Sequence, residues 1–175
     1  TVFDGLSATH SVSIIDNDFV RTDEPNKVPS DGNNHIIYDL HDDGTFTYSL
    51  LAGTDWLEVT ADIEQTASYT QFLGGAGNDR LEGVSQAQGD AGDDVIRSSS
   101  QGVRLRDSSR HLLLSGGQGN DTIDASNFIL TDAFGWIAGG SGSDTIIGSA
   151  SSDTIYADHY QSIRSYTPNS SNDIR

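Results

Sequence analysis

The chain has 175 residues, with 26 acidic against 9 basic side chains, a net charge of −17 and no cysteine. That length allows one or two domains and a modest core. The charge repels nucleic acid and anionic membrane surfaces and attracts divalent cations, and the missing cysteines exclude disulfides and thiolate sites.

Of the acidic residues, 22 are Asp and only 4 are Glu, which favours tight turns and hard-metal ligands over a solvated helical face. No apolar run approaches the roughly 18 residues of a membrane-spanning helix, so no transmembrane segment is expected. Thr1 in place of an initiator, with no Met anywhere, reads as a piece of a longer polypeptide with flanking domains.

In chain order, residues 1–18 hold an alternating stretch, Ser11-Val12-Ser13-Ile14-Ile15, closed by Asp16-Asn17-Asp18. Alternation predicts a strand. The segment resembles the last strand and closing Asp-Asn-Asp of a Calx-β domain; an ordinary edge strand of the following domain fits the same pattern. Residues 19–34 carry two of the three prolines and Asp31-Gly32, and read as a linker. Residues 35–72 are rich in strand formers: Ile36–Leu40, Thr45–Leu50, Asp55–Val59 and Tyr69–Leu73. They are expected to form a β-rich N-terminal cap on a solenoid that begins at Leu73, because an open stack of coils otherwise exposes core and strand edge.

Five segments from Gly74 onward read G-x-x-G-x-D-x-(apolar) or a worn copy of it. They run Gly74–Glu82, Gly89–Arg97, Gly116–Asp124, Gly139–Ile147 and Gly148–Tyr156, the last with two glycines lost. Glycines at the first, second and fourth positions permit backbone conformations that a Cβ penalises, and let main-chain carbonyls turn inward. Asp at the sixth adds a short carboxylate, and hard oxygen donors are what Ca²⁺ takes. Residues seven to nine run extended, each with one aliphatic aimed at the core: Leu81, Ile96, Ile123, Ile146 and Ile155. A flexible Gly/Asp-rich linker would have no need of those aliphatics. Apolar centres recur at about nine-residue steps, through Val103, Leu113, Ile137 and Ile163 as well, so each nonapeptide is read as half a coil. Asp121 and Asp144 are expected to stack, as are Asp79 and Asp94. Asp94 and Asp121 stand further apart, so Ser98–Ser115 is expected to bulge or to add an extra half-coil.

From Leu73 to about Tyr160 the chain resembles the RTX (haemolysin-type calcium-binding) modules of secreted toxins, proteases, lipases and adhesins. The resemblance implies an all-β fold over 73–175, a right-handed parallel β-roll or β-solenoid with several Ca²⁺ ions between stacked turns. It also implies ligands: Gly116, Gln118 and Asp121 with Gly140, Gly142 and Asp144, and Gly74, Ala76 and Asp79 with Asp90, Gly92 and Asp94. Asp153 belongs to the degenerate fifth turn. Asp90 departs from the pattern by replacing a glycine. The family further implies calcium-gated folding outside the cell after one-step secretion, hence a secreted or cell-surface location.

No catalytic motif is present, and the chain is read as a binding or structural module rather than an enzyme. His10, His35, His111 and His159 show no metal-ligand spacing, and His41-Asp42-Asp43 reads as a polar turn rather than a transition-metal or catalytic site. Arg104, Arg106 and Arg110 with Asp107 form the one cluster that a solenoid lyase could use. Trp136, Tyr156, Tyr160 and Tyr166 either cover an open coil end or stack on the sugar rings of a polysaccharide or cell-surface glycan.

Overall fold

The computed structural model describes residues 11–14, 32–39, 46–59, 70–100, 103–104, 110–129, 133–156 and 164–166, and every regular element among them is a strand. In chain order these are β1 (Ser11–Ile14), β2 (His35–Asp39), β3 (Phe46–Ser49), β4 (Trp56–Val59), β5 (Thr70–Ala76), β6 (Arg80–Val84), β7 (Gln86–Ala91) and β8 (Val95–Ser98). They continue with β9 (Val103–Arg104), β10 (Arg110–Gln118), β11 (Thr122–Asp124), β12 (Phe134–Ser141), β13 (Thr145–Ile147), β14 (Ser152–Tyr156) and β15 (Arg164–Tyr166).

The chain alternates between two sheets. One runs β1-β2-β4-β6-β8-β11-β13, the other β15-β14-β12-β10-β7-β5-β3. Along each of these orders the ladders are parallel except at one end, where β1 pairs antiparallel with β2 and β15 antiparallel with β14; β9 adds an antiparallel pair on β10. This is an all-β parallel roll. Alternation fixes its core: Ile36, Leu57, Leu81, Ile96, Ile123 and Ile146 align in one inward row of the first sheet. Tyr48, Phe72, Ala87, Leu114, Ile137 and Ile155 form the opposing row of the second. These rows make up much of the single buried cluster.

Three expectations differ from this arrangement. The 35–72 segment continues the same parallel ladders, β2 onto β4 onto β6 and β3 onto β5, as two further coils of the roll. Gly32–Asn34, placed in the linker by sequence, already belongs to the first corner, with the Gly32 N–H donating to Ala52 O at 2.7 Å. In β10 the core side chains are Leu112 and Leu114, while Leu113 points outward; the apolar run offers three consecutive leucines, and spacing alone selects the wrong phase. The remainder of the expected linker, His41–Gly44, Arg106, Asp107, Tyr160 and Ile163 lie outside the described residues.

The two corners of each coil differ. One joins the second sheet to the first and holds every G-x-x-G-x-D turn from Gly74 to Asp144. The other shrinks to Ser85 between β6 and β7, holds the antiparallel β9–β10 excursion in the next coil, and after β11 takes in residues 125–129, where Phe128 is fully buried. Coils of unequal length therefore keep one uniform side.

Candidate metal centre

The uniform corner is a column of carboxylates. Each sixth-position residue lies over the next, about 4.8 Å per coil, in the order Asn34, Asp55, Asp79, Asp94, Asp121, Asp144. The Asn34 N–H donates to Asp55 Oδ1 at 2.7 Å and the Asp55 N–H to Asp79 Oδ1 at 2.8 Å. Asp79 N–H to Asp94 Oδ1 and Asp94 N–H to Asp121 Oδ1 follow at 2.8 Å each, and Asp121 N–H to Asp144 Oδ1 at 3.0 Å. This ladder holds every carboxylate by one oxygen. The other, Oδ2 of Asp55, Asp79, Asp94, Asp121 and Asp144, is buried and accepts no hydrogen bond. Buried polar atoms are rarely left so, because each lost partner costs about 1–3 kcal/mol. A row of such orphans, where space lies open beside them, marks places for cations.

First-position glycines open the space beside those orphans. A Cβ on Gly74 would come within 2.6 Å of both Asp79 Oδ2 and Gly89 O. One on Gly89 would meet Asp94 Oδ2 at 2.1 Å and Gly116 O at 2.5 Å; one on Gly116 would meet Asp121 Oδ2 at 2.2 Å and Gly139 O at 2.5 Å. Each cradle thus pairs a carboxylate oxygen with the first-position carbonyl of the following coil. Among the described residues no three carboxylate or imidazole side chains converge, so the donors are carboxylates interleaved with carbonyls, a hard-oxygen set that suits Ca²⁺.

Burial is the first cause of the electrostatic strain here. It pushes the Asp79 carboxyl up to about 6, helped by the charges of Asp55 and Asp90. It pushes Asp94 up to about 7, helped by Asp79, Asp121 and Asp90, and raises Asp121 and Asp55 in the same direction. Folded-state values above the ordinary 3.8 favour the protonated folded chain. Their stabilisation is complete below about 3.8 and is lost as pH rises through about 6 and 7. Without metal the chain is therefore expected to keep more of its β structure at about pH 4.5 than at about pH 8, a difference read by circular dichroism in chelator.

The sequence-derived pairs Asp79/Asp94 and Asp121/Asp144 are adjacent in the column. So are Asp94 and Asp121, whose 27-residue separation is one coil carrying the β9 excursion. That adds a third complete cradle. Asp90 adopts the same left-handed backbone, φ 74°, as the glycines Gly75, Gly117 and Gly140 in that row; Asp is among the few residues that tolerate it. The third-position carbonyls of Ala76 and Gln118 accept the N–H of Gly53 and Gly92, at 2.8 and 2.7 Å. Gly92 and Gly142 stack on the carbonyls of Gly77 and Gly119, closer than any Cβ would allow.

Asp153 stands apart. It lies at the opposite corner, fully buried, with Oδ2 accepting the Ser149 N–H and Oδ1 the Ser149 hydroxyl, both at 2.6 Å. Its oxygens close the turn before β14. Asp153→Ala is expected to cost roughly 2 kcal/mol in urea denaturation while calorimetry counts the same number of bound ions.

Two turns escaped the sequence reading. Leu50–Asp55 occupies the column with leucines at the first and second positions, Leu51 adopting φ 71°, and Gly32–Asn34 closes it with an amide. The spelling Gly53-Thr54-Asp55-Trp56-Leu57 retains Gly, Asp and aliphatic at the fourth, sixth and eighth positions, and that was the available signal. Leu50 places a Cβ where Gly74 leaves space, so its coil lacks the same cradle.

A family model for the RTX calcium-binding nonapeptide repeat, in four copies, matches residues 113–127 and 132–158. The chain carries RTX calcium-binding repeats, and the turns at 74–79 and 89–94, outside the matched residues, stack in the same column. No curated protein and no solved structure matches the chain.

Proposed function

We propose that this chain is a non-catalytic, calcium-folded segment of a secreted or cell-surface protein. One observation supports it above the rest: the row of buried, unbonded Oδ2 atoms on Asp79, Asp94 and Asp121, each beside a first-position glycine and a facing carbonyl. Bound calcium supplies the counter-charge that lets these carboxylates stay ionised side by side. The residues do the rest. Each Oδ1 is fixed by the N–H of the preceding coil, so each Oδ2 is aimed before any ion arrives; each Gly keeps the cradle open. Ion binding then becomes part of the folding free energy. Extracellular calcium modules bind at about 10⁻⁴–10⁻³ M, a range met outside cells, and a chain with no cysteine needs some other staple there.

The test is a calorimetric titration with calcium and, separately, magnesium. About three ions, one per complete cradle, are expected for calcium and none for magnesium, which demands shorter and near-octahedral coordination. A chain that takes up no calcium would sink the proposal. The roll also bears an aromatic face without paired charges, which favours a second reading, an accessory module that holds a glycan.

A further inference from the structure

Deepening that second reading, we infer that the outer face of the second sheet binds a neutral polysaccharide. Outward positions of β5, β7, β10, β12 and β14 align into rows across the sheet: Gln71, Gln86, Leu113, Trp136 and Thr154 in one, Gln88, Ser115, Ala138 and Tyr156 in the next. On a chain of net charge −17, this face carries no Lys, Arg, Asp or Glu among its described side chains except Asp90 at the rim. Asp90 already accepts the Gln88 amide.

Trp136 and Phe134 stand on the same side of β12, about 6.6 Å apart along the strand, and remain 54% and 53% exposed. His111 lies against both, its ring 6.0 Å from Phe134 and 6.3 Å from Trp136. Beside them is a concavity of about 500 Å³ bordered by Gln71, Gln86, Gln88, Ser115, Trp136 and Tyr156, within the usual size range of ligand sites. Gln86 Oε1 there is buried and accepts no hydrogen bond. That acceptor calls for a donor.

Sugar chemistry matches the set. The C–H faces of pyranose rings pack on aromatic faces, and ring hydroxyls both donate and accept, as the glutamine amides require. A uronate or sulfated chain would bring negative charge to an acidic protein. A neutral one would not.

The experiment is affinity electrophoresis of the whole chain, with calcium present throughout, in native gels containing soluble mixed-linkage β-glucan, xyloglucan, alginate or polygalacturonate. Retardation is expected in at least one neutral gel and in neither acidic gel, and Trp136→Ala should weaken it roughly tenfold or more. Circular dichroism of the same samples reads the calcium-dependent fold independently, and Trp136→Ala should leave it unchanged because the side chain is exposed. No retardation in any gel overturns glycan binding altogether. Retardation by acidic polymers alone keeps glycan binding and overturns the neutral ligand. Undiminished retention of Trp136→Ala overturns the assignment to this face.

Discussion

Stripped of calcium at about pH 8, the chain is expected to lose the β signal of its coils in circular dichroism, and to regain it cooperatively as calcium is returned. The cause is the carboxylate column. Asp79, Asp94 and Asp121 are buried one above another, and in mild alkali all must ionise although folding raises their pKa values. The opposing term is modest: two rows make up much of the core, with Ala87 interrupting one of them. Three cradles held at a hundred times their Kd would contribute about 8 kcal/mol, at about 2.7 each. That is comparable with the whole stability of an ordinary domain, about 5–15 kcal/mol. A full β spectrum in chelator under the same conditions would show that the aliphatic rows suffice and that calcium is an accessory.

Gly116→Ala is expected to remove one bound ion and to lower stability as well. Its Cβ would stand 2.2 Å from Asp121 Oδ2 and 2.5 Å from the Gly139 carbonyl. Neither neighbour yields easily: the carboxylate is pinned through Oδ1 to the Asp94 N–H, and the carbonyl belongs to the backbone of β12. Overpacking of about 1–3 kcal/mol would add to the loss of one ion's contribution, about 2.7 kcal/mol, for a total of about 4–6. Calcium calorimetry and urea denaturation read the two parts separately. Gln118→Ala is the comparison, since its side chain is exposed and only its carbonyl joins the ladder. A Gly116→Ala protein with unchanged ion count would show that the cradle is not the binding position.

The turns at 74–79, 89–94, 116–121 and 139–144 were legible because close stacking leaves a chain little choice of residue there. Gly77 and Gly119 lie so near the carbonyls beneath them that no side chain fits, and a constraint that strict prints itself on the sequence. The Asp55 turn was hidden because its first two glycines are absent, and Asn34 because it ends the column as a donor, its N–H and its amide both donating to Asp55 Oδ1, where the other turns have a carboxylate. Asp153 misled in the opposite sense. Its Asp-Thr-Ile spelling repeats that of Asp121 and Asp144 while sitting at the other corner, where Ser149 satisfies it. A local word cannot say which side of a coil it occupies. The outer face of the second sheet was only partly readable: Trp136 and Tyr156 stood out as aromatics, but Gln71, Gln86 and Gln88 lie on other strands and come beside them only through register.

Between neighbours in the column the chain travels 21, 24, 15, 27 and then 23 residues, yet every coil arrives at the same hydrogen bond. All the slack is taken up at one corner. The roll therefore behaves like a bound book, with spine stitching of fixed pitch and pages free to differ in width. Lengthening a coil at that corner widens a page and leaves the pitch of the stitching as it was.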